Sequence, residues 1–498
     1  MARWPLALSL PDGPEAADAP LYQRIAWAIA DEIRRGRLQP GAGLPGSRRL
    51  AVQLGVHRNT VIAAYADLQA EGWLEARPGA ATVVSPRLSA ALPPTPEAFA
   101  PTRVGVPLDA GFDLPPPPEN AWPEPPKAPL LLAGGFPDLR LLPTAALSRA
   151  WRRAITRHGP RLLSYGDPRG DEPLRAALAD MLATSRGLAT TADDLVITRG
   201  SQMGLDLVAR ALIQPGDAVV VEALGYRPAW AAFRAAGATL VPLPVDAEGV
   251  QVEALACVMA HHPVRALYLT PHHQYPTTVT LSATRRLQLL TWAARARVAV
   301  IEDDYDHEFH FEGRPVLPLA SADPSGVVIY LGTLSKVLAP GLRLGFVVAA
   351  AAVLDRLAAL RTRIDRQGDT LTERALAELL EEGEVQRHAR RMRRLYADRR
   401  EALASALRTH LGESLAFRLP PGGMSLWAEV APDLPVDRLA AEALKRGVGV
   451  YEGSRFAFSG EPVQALRLGY GALDVAELRE AARRLGEAAR AVRGRGRG

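Results

Sequence analysis

The chain changes its hydrophobic rhythm twice. Between residues 22 and 36, Ile25, Ala28, Ile29 and Ile33 recur at helical spacing, and Gly36 ends the run. SRRLAVQLG (47–55) reads as a short helix capped by Ser47 and stopped by Gly55. HRNTVIAAYADLQAEG (57–72) predicts a second helix, with Val61, Ala64, Tyr65 and Leu68 facing inward. WLEARPGAATVV then alternates like two strands about Pro78-Gly79. Helix, turn, helix, hairpin is the order of a winged helix-turn-helix.

Proline then takes over. LPPTPEAFAPTRVG and DLPPPPENAWPEPPKAP cannot continue a helix and predict a semi-rigid linker. It is long enough for the N-terminal module to reach another subunit. Beyond Leu130, helical periods alternate with short apolar runs, as in an α/β domain. The strand candidates are residues 194–198, 218–222, 266–270, 298–303 and 327–331, each ending in a polar or small residue. Ligands bind at that end of open sheets. Residues 384–410 predict a long arginine-rich helix with a solvated face.

Composition narrows the class. With 498 residues, 48% hydrophobic and 23% charged, the chain reads as an ordinary globular protein of two or three domains. Its one cysteine, Cys257, excludes an internal disulfide and suits a reducing cytoplasm. The opening MARWPLALSLPDG has too short an apolar run for a signal peptide, and no run suggests a membrane span. Net charge of +5 permits an acidic partner, and its placement is more telling. Residues 34–66 hold six arginines and no acid. Arg48 and Arg49 open one helix, while His57, Arg58, Asn59 and Thr60 open the next. Side chains at the N-terminal end of a recognition helix reach base edges and phosphates of double-stranded DNA. A small interaction domain with a solvated basic face is the plainer alternative, and the element order favours DNA.

The chemistry centres on Lys336, in a polar loop between the apolar runs VVIYLG and LGFVV. A lysine between buried strands must be paired, neutralised or covalently bound, and a neutral one is a nucleophilic amine able to form a Schiff base. Thr333, Ser335 and Arg343 lie close in sequence and suit a phosphate. Lysine, aldehyde and phosphate together suggest pyridoxal 5′-phosphate (PLP). A surface loop with a solvated lysine fits this stretch alone equally well. Other clusters shift the balance: Ser201 and Gln202 at a helix start, Tyr226 after a strand, and Asp303 and Tyr305 in VIEDDYDHEF. Asp303 facing a pyridine nitrogen would keep that ring protonated. The paired His272 and His273 suggest a metal, but no ligand spacing completes a site.

PLYQRIAWAI, GAGLPGSRRLAVQLGVHRNTV and AAYADLQAEGWLEARPGAATVV resemble the winged-helix domain of the GntR family of bacterial regulators. Departures are Gly46 where that family usually has Ser, and Ala80-Ala81 at the wing tip. Residues 130–490 resemble the fold type I aminotransferases. That resemblance implies Lys336 as the Schiff-base lysine, Asp303 on the ring nitrogen, Tyr305 on the ring hydroxyl and Tyr226 on the ring face. It also implies phosphate held by Ser201, Gln202, Thr333, Ser335 and Arg343, and a carboxylate gripped by Arg467 in ALRLGYG. Tyr165 in SYGDPRGDEPLRAAL would enter the neighbouring subunit's site. Tyr275-Pro276-Thr277-Thr278 replaces the usual Asn-Pro-Thr-Gly, which weakens the case for efficient transamination.

The two halves together resemble the MocR regulators, whose HQYP and EDDYD variants are present. The implied architecture is multidomain. An arm (1–19) leads into a mainly α winged helix-turn-helix with a β wing (20–86). After the Pro-rich linker (87–128) comes an α/β PLP-dependent transferase fold with a mixed, mostly parallel sheet and large and small subdomains (129–498). The implied function is a cytoplasmic, head-to-tail homodimeric regulator that binds an operator. PLP, alone or joined to a small amino compound, would be its effector. A working aminotransferase carrying a DNA-binding module is the alternative.

Overall fold

The computed structural model describes residues 8, 10, 19–34, 36–76, 82–90, 112–114, 124–313 and 316–495. The chain divides into two compact units, 1–116 and 117–498. Most of the expected arm, the wing tip with Pro78-Gly79 and Ala80-Ala81, and most of the Pro-rich linker lie outside the described residues. Among the described residues no helix is long and apolar enough to cross a membrane.

The N-terminal unit has helices α1 (Leu21–Arg34), α2 (Ser47–Leu54) and α3 (Arg58–Ala70), then strands β1 (Leu74–Glu75) and β2 (Val83–Val84), paired antiparallel. Its core joins Ile25, Ile29 and Ile33 of α1 to Leu50, Val61, Ala64, Leu68, Leu74 and Val84. The inward stripe read from the sequence is therefore the buried one. Leu8 and Leu10, placed in a loose arm by composition, pack on the edge of this core. The α2 cap needs a correction. Gly46, not Ser47, is the N-cap, and it makes no side-chain cap bond. The Ser47 hydroxyl instead accepts from Arg58 Nε at 3.3 Å, tying the starts of α2 and α3 together. Gly55 ends α2 in the left-handed conformation, as its lack of a Cβ allows. Residues 41–44 add an edge to the hairpin through Leu44 N to Thr82 O and the Gly43–Val83 bridge.

The larger unit is built on a seven-stranded sheet. Its strands are β3 (Leu195–Thr198), β4 (Ala218–Glu222), β5 (Thr239–Leu243), β6 (Val264–Leu269), β7 (Ala299–Asp304), β8 (Val328–Thr333) and β9 (Gly345–Val348). The order is β3-β9-β8-β7-β6-β4-β5, with β9 alone antiparallel to its neighbours. Both faces are covered, which is why these strands read as nearly continuous apolar runs. Val219 and Val221 meet Leu205, Val208 and Phe233 on one face. Val220, Leu267 and Val300 meet Leu289 and Ala293 on the other. A second, antiparallel sheet holds β10 (Leu415–Phe417), β11 (Ser425–Val430), β12 (Tyr451–Glu452) and β13 (Ala465–Gly469), in the order β10-β11-β13-β12. The arginine-rich helix spans Glu384–Leu411 and packs its apolar side against Val475–Arg495.

Candidate functional site

The carboxyl ends of β3, β4, β6, β7 and β8 open on one cavity of about 570 Å³. Lys336, Ser201, Gln202, Tyr226, Asp303, Tyr305, Thr333, Ser335, Arg343 and Arg467 all line it. Folding thus brings together residues spread over more than half the chain, because strands that are distant in sequence are neighbours in the sheet.

Lys336 follows β8. Burial lowers its ammonium pKa to about 8, helped by the nearby Arg467 charge and resisted by Asp306 and Asp303. A weakly held proton is what a nucleophilic amine needs. Asp303 sits near the end of β7, where its Oδ2 accepts from the Tyr268 hydroxyl at 2.8 Å. Burial raises its pKa to about 6, and the Tyr268 bond pulls it back down. Asp303 Oδ1 is buried with no hydrogen-bond partner. A protonated ring nitrogen would satisfy that atom and offset its desolvation.

The phosphate-sized corner is mostly backbone. Gly200 is the N-cap of the helix Ser201–Leu212, whose first N–H groups have no intrahelical acceptor. A Cβ on Gly200 would lie 3.1 Å from Arg343 Nη2, so the guanidinium packs against the bare α-carbon. Arg343 also donates to Arg199 O at 2.9 Å. Gln202 is already committed through Nε2 to Pro228 O, and its buried Oε1 has no partner. The Thr333 hydroxyl lies 2.9 Å from Leu344 O and 3.0 Å from Ser335 Oγ, so its one proton holds the loop in shape. The donors free to meet a phosphate are therefore the helix N–H groups, Ser335 and Arg343.

The opposite wall is aromatic. Tyr275 meets Tyr226, Tyr305 and Phe456 edge to face. Tyr305 donates to the His273 carbonyl at 2.8 Å. Arg467 enters from β13, only 1% exposed, with Nε and Nη1 unpartnered. A buried guanidinium with idle donors calls for a carboxylate. Tyr165 is not part of this cavity within one chain. It is 78% exposed, with the Arg366 guanidinium 4.5 Å from its ring centroid.

Sequence reasoning missed Tyr268, Phe136, Tyr451, Arg455 and Phe456, all of which line the cavity. Tyr268 lay in plain view inside a strand, where an aromatic reads as core. Thr278 adopts φ +65°, the left-handed turn that the usual glycine of this loop would take without strain. In the N-terminal unit, Arg48, Arg49, His57, Arg58 and Asn59 are exposed and Thr60 is half-buried. His57 caps α3 by accepting from Asn59 N at 3.3 Å.

Known proteins match both units. The aminotransferase class I and II family model matches residues 133–485, and that of the bacterial regulatory proteins of the gntR family matches residues 21–84. The probable rhizopine catabolism regulatory protein MocR of Rhizobium meliloti is 34% identical, over 93% of this chain and 92% of its own. The pyridoxine biosynthesis transcriptional regulator PdxR of Corynebacterium glutamicum is 32% identical, over 96% of this chain and 97% of its own. Among solved structures, the α-aminoadipate aminotransferase LysN of Thermus thermophilus, complexed with N-(5′-phosphopyridoxyl)-L-leucine, is 33% identical with a TM-score of 0.68. That match covers 73% of this chain and 92% of LysN.

Proposed function

The chain belongs to the MocR-type PLP-dependent transcriptional regulators, and we propose that a small amino compound bearing a carboxylate is the effector that controls its hold on DNA. The observation that carries this is Arg467, buried in the same cavity as Lys336 with two idle guanidinium nitrogens. An amine and a carboxylate on one small molecule would meet both residues.

PLP, when bound, supplies an aldehyde for amines and an electron-poor ring. Around it, Lys336 is the amine that holds the cofactor and Asp303 the anion that pairs with the ring nitrogen. Tyr226 and Tyr305 position the ring, while Ser201 N–H, Gln202 N–H, Ser335 and Arg343 take the phosphate. Thr333 shapes that corner through Leu344. Exposed Tyr165 serves the neighbouring site of a head-to-tail dimer. Arg48, Arg49, His57, Arg58, Asn59 and Thr60 face the operator, with phosphate contacts for affinity and base contacts for sequence. The boundaries near residues 20, 86 and 128 separate arm, winged helix, linker and PLP domain.

An effector shifts an equilibrium only by binding one state better than another. Displacing Lys336 and bringing a carboxylate to Arg467 would supply that difference through β13 and its neighbour β11. The test is operator affinity with and without candidate amino acids, in the parent and in Lys336→Ala. The parent should change affinity with effector and Lys336→Ala should not. An unchanged response in Lys336→Ala would remove PLP from the signal path.

A catalytic role is the second reading, favoured by the intact Lys336, Asp303 and Arg467 set. Sustained exchange of amino groups between amino and keto acids would support it, whereas a single stoichiometric conversion marks a sensor.

A further inference from the structure

Behind the cofactor cavity lies a second group of side chains that the effector reading does not use. His272 and His273 follow β6, and His310 follows β7 in the next stretch of chain. Ring nitrogens of the three lie within 4.8 Å of one another. His272 and His273 are 3% and 2% exposed, and His310 is half-buried. Both ring nitrogens of His272 and both of His310 are buried without a hydrogen-bond partner. Every imidazole has two nitrogens that need a donor or an acceptor, and leaving them dry costs about 1–3 kcal/mol each. A shared metal ion takes one nitrogen from each imidazole, and so would satisfy one of the two orphaned atoms on His272 and one on His310.

His273 differs in a telling way. Its Nδ1 lies 2.7 Å from the Asp306 carboxylate, the contact that fixes the tautomer of a metal-bound histidine. Its Nε2 faces the bare side of Gly422, where a Cβ would approach to 2.7 Å. Backbone pairing holds the third member in place: Gly423 N donates to Phe309 O at 2.7 Å, and Phe311 N to Pro421 O at 2.8 Å.

We propose that His272, His273 and His310 form a site for a divalent transition metal of the zinc class, with Asp306 positioning His273. Imidazole nitrogens with no thiolate select zinc, cobalt, nickel or copper over calcium or magnesium. Three protein ligands leave a fourth position for water. The ion would fasten the turn that carries Tyr275 to residues 309–311, and through their pairing with 421–423 to the approach of β11. The proposal is independent of the effector reading, since it needs neither PLP chemistry nor DNA.

The test uses the full chain without a histidine tag, stripped with chelator, loaded with Zn²⁺ or Co²⁺ and desalted. One ion per chain should be retained, with visible Co²⁺ absorbance of a tetrahedral site. His272→Gln and His310→Gln should each abolish retention, and Asp306→Asn should weaken it about ten- to hundredfold. PLP uptake and far-ultraviolet circular dichroism check that the variants are folded, and Cys257→Ser with His261→Gln should retain the ion. No ion held by the parent, or equal retention in the His272→Gln/His310→Gln double variant, overturns the proposal.

Discussion

The Arg467 guanidinium lies 4.4 Å from the centroid of the Tyr275 ring. The π face of the ring supports the cation without using its donors. Arg467 is thereby held in place with Nε and Nη1 still available. Arg467→Lys keeps the charge and loses the fork. Charge-assisted bonds are worth about 1.5–3 kcal/mol, so effector affinity should fall roughly ten- to hundredfold while PLP uptake is unchanged. Gly134→Ala should give the same phenotype with Arg467 intact, because its Cβ would lie 1.9 Å from Arg467 Nη1. Effector titrations of both variants check this, and an unaltered response would place the carboxylate elsewhere.

Lys336 sets a pH dependence. Without PLP its pKa is lowered to about 8, mainly by burial, so the neutral amine dominates only above that value. The rate of PLP uptake should rise about tenfold per pH unit below 8 and level off above it. The linked stability has a definite sign. Between about 8 and the ordinary 10.5 the unfolded chain binds more protons than the folded one, so the PLP-free protein gains stability as pH rises through that window. Lys336→Met should flatten both profiles, as stopped-flow absorbance and denaturant melts at several pH values would report.

Tyr268→Phe removes the hydroxyl that holds Asp303 Oδ2. That bond opposes the burial which raises Asp303 to about 6, so its loss should raise the pKa further. The ionised carboxylate is what pairs with a ring cation. PLP retention on acidification should therefore fail at a higher pH in Tyr268→Phe than in the parent, measured by absorbance after desalting. Coincident profiles would mean that Asp303 does not govern retention.

Thr278 carries a β-branched side chain at φ +65°. Such a residue in the left-handed region costs about 1–3 kcal/mol. Thr278→Gly relieves the strain but loosens the unfolded chain, and the balance should favour folding by about 1 kcal/mol. Urea melts of the holo form would detect the gain, and a loss of stability would show that the threonine side chain contributes more than its strain.

In the N-terminal unit, Arg58 is exposed at the start of α3 and bonds Ser47 across to α2. If it touches one phosphate, Arg58→Ala should lower the slope of log affinity against log salt by about one for all DNA sequences. A base contact would instead relax specificity at one position with little change in slope. Competition binding at several salt concentrations separates the two.

Sequence alone determined the elements whose signals are local. The winged helix announced itself through the stripe Val61, Ala64, Tyr65 and Leu68, and the sheet through apolar runs that are buried on both faces. Lys336 was legible because a lone amine beside Thr333 and Ser335, between two apolar strands, is costly without a chemical purpose. Tertiary structure decided everything that depends on which strand lies next to which. It set Tyr268 of β6 against Asp303 of β7, where adjacent parallel strands bring them within a hydrogen bond. It spent the Thr333 proton on Leu344, and it moved the cap of α2 from Ser47 to Gly46. It also brought His310 to His272 and His273, a meeting that no spacing along the chain announces. For the Tyr268, Thr333 and histidine contacts the reason is the same. Periodicity records whether a side chain faces core or solvent, while its partner is chosen by backbone pairing between segments far apart in sequence.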